Sequence, residues 1–152
     1  MNKMDFVITC DYYEEKELID YTCYLTAVSD EAIEKFGTER LGGIALSIES
    51  SVIEALELPE KTAMINFVFR NKELVGIGLS LICSLLGRME DKYQVDYIYL
   101  ESLNDKLTEY YKSLGFEIVK NKGMIAPISV LEKTCLTKNK RGNIPVIFEL
   151  TN

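Results

Sequence analysis

The strongest chemical signal in the sequence is a pair of glycines between two apolar segments. The stretch reads Val75-Gly76-Ile77-Gly78-Leu79-Ser80. A short run of strand-forming residues, 63–69, precedes it, and the segment 79–86 carries apolar residues at helical spacing. A strand, a glycine turn and a helix start leave backbone N–H groups free at the positive end of a helix, and glycines let an anion approach closely. This order predicts a phosphate-binding loop; the alternative is a tight turn without a ligand.

A phenol on a capped helix is the second chemical signal. A helix after the glycine stretch is long enough for a parallel crossover to a second short strand, 95–100. The segment 104–115 then has an N-cap residue at Asn104 and a left-handed stop at Gly115. One face of the predicted helix carries Leu103, Leu107, Tyr111 and Leu114. Periodicity alone would make Tyr111 a core aromatic residue.

Together the two halves resemble the core of the GNAT family of N-acetyltransferases. The resemblance rests on Val68, Gly76-Ile77-Gly78, Asn104, Tyr111 and Gly115-Phe116, in this order and at this spacing. The implied fold is a single α/β domain over residues 1–152, a mixed and mostly antiparallel twisted sheet with helices on both faces. Its two central parallel strands, about 63–69 and 95–100, would splay to admit the cofactor. The implied reaction is acetyl-CoA-dependent N-acetylation of a primary amine by direct attack in a ternary complex, without a metal.

The resemblance also implies which residues hold acetyl-CoA. The backbone amides of the glycine stretch would bind the pyrophosphate, at Leu74, Val75, Gly76, Ile77, Gly78 and Leu79. The exposed backbone of Asn66, Phe67 and Val68 would pair with the pantetheine arm. Asn104 is either a helix cap only or also a contact to that arm.

One residue departs from the family pattern. Glutamine or arginine is expected three residues before the first glycine, and Glu73 stands there. A carboxylate beside a pyrophosphate is repulsive by ~1 kcal/mol or a few at a surface-like dielectric. Glu73 either turns into water, weakens cofactor binding, or marks a protein without catalysis. The alternative function is therefore a non-catalytic acyl-CoA-binding or protein-interaction module on the same fold.

Two residues are the expected catalytic groups. Tyr111 matches the tyrosine that protonates the departing thiolate in many family members, a step in which a positioned phenol serves as general acid. Glu101, at the end of the second core strand, matches an acidic residue used as a base in some branches, although its separation from Asn104 is shorter here. Glu49 and a water-relayed deprotonation remain alternatives for the base.

Net charge and the length of the hydrophobic runs limit the classes of binding partner that are expected. The 152 residues include 17 basic and 24 acidic side chains, a net charge of −7, which argues against a general nucleic-acid binder. The chain lacks a run long enough to span a bilayer and a signal-peptide pattern, so a cytoplasmic protein is expected. The expected partner is an amine, carried by a small molecule or by a protein, and a homodimer is possible. Neither nucleic acid nor membrane is expected as a partner.

The cysteines and the remaining segments complete the expectations. Cys10, Cys23, Cys83 and Cys135 form no C-x-x-C pair, and with no histidine present a Cys/His metal site is not expected and the thiols are expected to be reduced. Further strands are predicted at 5–10, 41–49, 116–119 and 144–150, a capped helix at 29–37 and a loop at 123–127. Segments 13–25 and 128–136 have mixed patterns that fit a helix or a strand, and 51–58 is ambiguous.

Overall fold

Residues 6–70 and 94–138 are described by the structure, a computed structural model. In these ranges the chain forms, in order, β1 (Phe6–Glu14), β2 (Leu18–Ala27), α1 (Asp30–Phe36), β3 (Arg40–Glu49), α2 (Ser50–Ala55), β4 (Thr62–Arg70), β5 (Tyr97–Glu101), α3 (Asp105–Leu114), β6 (Glu117–Lys120), β7 (Gly123–Pro127) and α4 (Ile128–Lys138). The glycine stretch at 75–80, the apolar segment at 79–86 and the strand predicted at 144–150 lie outside the described residues.

The strands of the described ranges form a seven-stranded sheet in the order β1-β2-β3-β4-β5-β7-β6. Each neighbouring pair is antiparallel except β4 and β5, which run parallel. A mixed, mostly antiparallel sheet with a central parallel pair was expected. The predicted fold class is therefore confirmed.

One face of the sheet carries the hydrophobic core. Buried residues alternate with half-buried ones along β2, as expected for a strand with one face packed. The same buried cluster includes Tyr21, Cys23 and Leu25 of β2, Ile44 and Leu46 of β3, Ala63 and Ile65 of β4, and Ile98 and Leu100 of β5. Helices α1, α3 and α4 add Ala32, Leu114 and Leu131 to it. The core thus packs the sheet against α1, α3 and α4.

Local capping signals define two of the helices. The Ser29 hydroxyl accepts a hydrogen bond from the backbone N–H of Ala32 at 3.1 Å, and α1 ends at Gly37, whose φ is 71°. The Asn104 side chain likewise caps α3, which ends at Gly115 with a φ of 113°. Both helices were predicted and both are confirmed.

The ambiguous segments are resolved by tertiary packing. Most of segment 13–25 belongs to β2, because that strand pairs with β1 and β3 on both sides. Segment 51–58 contributes to α2, and 128–136 lies in α4. Among the described residues, none of the helices is long and apolar enough to cross a membrane.

The loop predicted at 123–127 is wrong, because these residues form β7. Gly123 and Pro127 suggested a turn at either end of the segment. Instead β7 pairs with β5 on one side and β6 on the other, and Pro127 lies at its last position, opposite Tyr97. A proline at a strand end costs little of the hydrogen-bond ladder. Pairing on both sides overrides the local turn signal.

The expectation of reduced thiols is also wrong for two cysteines, because Cys10 and Cys23 form a disulfide. The two residues lie directly opposite each other in the register of β1 and β2, with their Cα atoms 4.1 Å apart. Both side chains are buried. Local spacing could not predict this pair, because only the register of β1 and β2 brings the two cysteines together.

Candidate active site

The central parallel strands part after a short stretch of pairing. Thr62, Ala63 and Met64 of β4 pair with Tyr97, Ile98 and Tyr99 of β5. Beyond this point β4 continues to pair with β3 as far as Arg70, whereas Leu100 and Glu101 pair with β7. Within the described residues, the β5-facing edge of β4 after Met64 therefore has no strand partner. An open edge of this kind can bind an extended ligand through backbone hydrogen bonds.

A β-bulge lies at the start of the open edge. Ala45 is opposite Phe67 and Leu46 is opposite Ile65, so Asn66 is an additional residue in β4. The bulge shifts the inward-facing positions from Ile65 to Val68 and leaves Phe67 and Phe69 41% exposed. Bulges bend a strand and interrupt its pairing. The bulge coincides with the end of pairing between β4 and β5.

The side chain of Asn66 is directed to the neighbouring strand. Its Nδ2 donates a hydrogen bond to the Ser47 hydroxyl at 3.0 Å, and Ser47 is buried. This bond ties the bulge to β3. Asn66, Phe67 and Val68, the residues predicted to contact pantetheine, thus lie together on the open edge, and their contact to a ligand stays a prediction.

Helix α3 begins close to the end of β5. The Asn104 Oδ1 atom accepts a hydrogen bond from the Leu107 N–H at 2.8 Å, so Asn104 is a helix cap. Leu103 is 79% exposed and lies before the cap, so it does not join the apolar face on which it was predicted. Whether Asn104 also touches a cofactor remains a prediction.

Tyr111 occupies a half-buried position on α3. Its ring meets that of Phe116 edge to face at 5.7 Å between centroids, and that of Tyr110 at 5.4 Å. Burial, and to a smaller extent the neighbouring Tyr110, raises the pKa of the Tyr111 phenol above its usual value of 10.0. The phenol is therefore protonated at neutral pH, as a proton donor must be. Tyr111 packs against the core, as the periodicity predicts, and its role as a proton donor stays a prediction.

Glu101 lies at the exposed end of β5, beyond the last β4–β5 pair. By continuation of the parallel register it lies at the level of Asn66, where the edge of β4 is open. The Tyr99 hydroxyl donates to Glu101 Oε1 at 3.4 Å. Burial, followed by the charge of Glu101 and this hydrogen bond, raises the pKa of Tyr99.

Glu49, the alternative base, occupies a different level of the sheet. It ends β3, two residues after Ser47, which pairs with Met64. Continuation of that register places Glu49 level with Thr62, where β4 and β5 are still paired. The position of Glu101 suits a base at the opening better than that of Glu49.

The predicted phosphate loop cannot be placed beside these residues. The residues predicted to bind the pyrophosphate, and the acidic residue before them, lie outside the described residues: Glu73, Leu74, Val75, Gly76, Ile77, Gly78 and Leu79. The arrangement in the described part consists of an open, bulged strand edge, a protonated phenol on the next helix and a carboxylate at the end of the partner strand. These groups can hold an extended acyl thioester and supply a proton donor and a base. The sequence patterns did not single out Ser102 and Thr108, whose partly buried hydroxyl contact joins β5 to α3.

The fold is shared with solved acetyltransferases. No family model and no curated protein matches the chain. Among solved structures, the KacTA–DNA complex superposes with a TM-score of 0.53 at 16% identity, covering 79% of this chain and 74% of that one. The structure of AtaTR bound with AcCoA superposes with a TM-score of 0.53 at 20% identity, covering 78% of this chain and 72% of that one. The structure of AtaT complexed with acetyl-methionyl-tRNAfMet superposes with a TM-score of 0.52 at 20% identity, covering 78% of this chain and 75% of that one. The chain thus has the GNAT acetyltransferase fold, which confirms the resemblance at the level of fold.

The same comparisons correct one expectation. Nucleic acid was excluded as a partner on the basis of net charge, and this exclusion is wrong, since structures of this fold include a complex with DNA and one with an acylated tRNA. Net charge sums over the entire surface, whereas nucleic-acid binding depends on the local distribution of charge. A total of −7 therefore does not exclude a nucleic-acid partner.

Proposed function

We propose that the chain is an acetyl-CoA-dependent N-acetyltransferase that transfers an acetyl group to a primary amine by direct attack in a ternary complex. The observation that carries the proposal is the open edge of β4 at Asn66–Val68, where pairing with β5 has ended beside the β-bulge. The pantetheine arm of acetyl-CoA is extended and carries amide groups, so it can pair with such an edge. The fold shared with AtaT bound to AcCoA supports this assignment.

The proposed reaction divides its steps among four groups of residues. The backbone of Asn66, Phe67 and Val68 holds the arm and directs an N–H group at the thioester oxygen, where negative charge develops. Glu101 accepts the proton of the attacking amine, directly or through water. Tyr111 donates its phenol proton to the departing thiolate of coenzyme A. The amides from Leu74 to Leu79 bind the pyrophosphate, as the glycine pattern predicts.

The proposal is tested by an acetylation assay on a broad panel of amine acceptors. One structural neighbour was solved with acetyl-methionyl-tRNAfMet, so an amine carried by a charged tRNA belongs in the panel beside small amines and protein amines. The assay follows release of free coenzyme A thiol, and calorimetry measures acetyl-CoA binding. Amine-dependent thiol release with formation of the acetylated amine supports the proposal. Failure to bind acetyl-CoA contradicts it.

One sequence observation favours a second function. Glu73 replaces the glutamine or arginine of the family pattern beside the predicted pyrophosphate loop. Glu73 fits a protein of this fold that has given up catalysis, such as an acyl-CoA-binding or protein-interaction module. Acetyl-CoA binding without thiol release on any acceptor class of the panel would favour this module over the enzyme.

A further inference from the structure

A partly buried pair of hydroxyl groups joins the end of β5 to the first turns of α3. Ser102 is 3% exposed, and its Oγ lies 2.6 Å from the Oγ1 of Thr108. Ser102 directly follows Glu101, and Thr108 precedes Tyr111 by three residues. In sequence, the pair therefore lies between the two proposed catalytic residues.

The hydrogen atoms of the pair can be assigned from its other contacts. The Thr108 hydroxyl donates to the backbone carbonyl of Asn104 at 3.0 Å. The short contact is then made by the Ser102 hydroxyl donating to Thr108, since each hydroxyl has a single hydrogen to give. The contact from Ser102 Oγ to the Lys122 carbonyl is long, at 3.5 Å.

The backbone of Ser102 extends the connection to a third element. Its N–H donates to the carbonyl of Lys122 at 3.0 Å, in the turn between β6 and β7. Ser102 thus links the end of β5, the start of α3 and the β6–β7 turn. Breaking the hydroxyl contact would leave a buried polar group without its partner, which is costly.

We propose that Ser102 and Thr108 are positioning residues, which hold α3 at a fixed place relative to β5 so that the Tyr111 phenol reaches the thioester. Residues three apart on a helix lie on the same side, so a displacement of Thr108 is passed to Tyr111 one turn later. The functional part of this inference rests on the proposed acetyl transfer. Misplacement of a reacting group by about 1 Å can cost ~10²-fold in rate.

The chain offers a matched control at the other end of the same helix. The Thr134 hydroxyl of α4 donates to the Leu114 carbonyl at 2.8 Å, and it also lies 3.1 Å from the Val130 carbonyl. It therefore also anchors α3, but at the C-terminal end, beyond Tyr111. Thr134→Val removes a tertiary hydrogen bond of the same kind without touching the β5 end.

The kinetic test is a double-mutant cycle between Thr108 and Tyr111. Thr108→Val should lower kcat by ~10-fold or more with little change in the KM for acetyl-CoA, whereas Thr108→Ser, which keeps the hydroxyl, should restore most of kcat. Adding Thr108→Val to Tyr111→Phe should produce no further loss, because the phenol that it positions is already absent. Equal losses in the two backgrounds, or an equal loss in Thr134→Val, would overturn the inference. Ser102→Ala provides a second variant from the other side of the pair.

A second measurement needs no turnover. NMR spectra are recorded on protein labelled with ¹³C at the tyrosine ζ carbon, and the signal of Tyr111 is identified as the one that is lost in Tyr111→Phe. The titration of this signal measures the pKa of the Tyr111 phenol, which burial raises. Thr108→Val and Ser102→Ala should lower this pKa toward 10.0, whereas Thr134→Val and Thr108→Ser should not. An unchanged Tyr111 titration in both pair variants would overturn the positioning role. If the titration shifts as expected while no amine is acetylated, the proposed function fails and the positioning of Tyr111 stands.

Discussion

Met64 lies opposite Tyr99 in the last pair that joins β4 to β5. Two residues later Glu101 pairs with Gly123 of β7, while Asn66 forms the bulge of β4. The two strands thus follow different neighbours from this point, β4 with β3 and β5 with β7. The separation is built into the sheet by pairing on both outer sides, so it should not require a ligand to form.

Gly115→Ala should destabilise the protein more than Gly37→Ala. Both glycines end helices with positive φ, 113° and 71°, which costs an alanine ~1–2 kcal/mol. At Gly37 an added Cβ meets open space, whereas at Gly115 it would collide with the Val130 side chain. We expect a loss of ~1 kcal/mol for Gly37→Ala and ~2–3 kcal/mol for Gly115→Ala in denaturant unfolding.

A compensating variant separates the two causes at Gly115. Combining Gly115→Ala with Val130→Ala removes the collision and leaves the backbone strain. The additional cost of Gly115→Ala should then fall to that of backbone strain alone, which is larger at a φ of 113° than at the 71° of Gly37. An unchanged cost would assign the whole effect to the backbone.

The helix ends show what the sequence could predict and what it could not. Ser29, Asn104 and Gly115 act through their own or adjacent turns, so local rules identify them. The strand at 123–127 depends on partners distant in sequence. Gly123 is required there because a Cβ would lie 2.5 Å from the Tyr99 hydroxyl oxygen, a packing reason that local turn rules do not contain.

The candidate site likewise contains features that the sequence predicts and features that depend on the fold. A motif resemblance predicted Asn66–Val68 and Tyr111 by position. The bulge at Asn66 was not predicted, because it depends on the register between β3 and β4. Ser102 and Thr108 were not predicted for a similar reason, since only the fold brings these two hydroxyl groups into contact.

Reduction of the Cys10–Cys23 disulfide should lower the free energy of unfolding. The sequence separation is 13 residues, and closing a loop of about 15 residues stabilises by ~3 kcal/mol in the chain-entropy description. We expect a loss of ~2–3 kcal/mol in dithiothreitol, measured by denaturant unfolding. The Cys10→Ala/Cys23→Ala variant is the control and should not respond to the reductant. Equal stability of oxidised and reduced wild type, with reduction verified by thiol labelling, would contradict the prediction.

Tyr111→Phe should reduce catalysis without reducing acetyl-CoA binding. The ring that packs on Phe116 is kept, so stability should change little. Loss of the phenol proton should lower kcat by ~10² or more, the usual scale for a positioned acid, while calorimetric affinity stays within about twofold. An undiminished kcat, under conditions where chemistry limits the rate, would remove Tyr111 from the mechanism.

The pH dependence of kcat should show the raised pKa of Tyr111. The protonated phenol is the active form, so kcat should fall only as pH rises past a pKa above 10.0, and Tyr111→Phe should lack this alkaline limb. The same shift favours the folded state below the ordinary phenol pKa, and this contribution is lost as pH rises through the raised value. An alkaline limb that is unchanged in Tyr111→Phe would assign it to another group.

Gly76→Glu should abolish most of the affinity for acetyl-CoA while the protein remains folded. The substitution places a side chain and a negative charge where the glycine pattern predicts the pyrophosphate. Calorimetry measures the affinity, and circular dichroism verifies the fold. A folded variant that binds as tightly as wild type would show that the glycine stretch is only a turn.

The central claim is that acetyl-CoA binds along the open edge of β4. Amide hydrogen exchange, measured with and without acetyl-CoA, tests it directly, because new backbone hydrogen bonds slow the exchange of the amides that make them. We expect slower exchange at residues 66–68 on addition of acetyl-CoA, and no such change with Gly76→Glu at the same ligand concentration. Unchanged exchange at 66–68 in a wild-type protein saturated with acetyl-CoA would contradict the account.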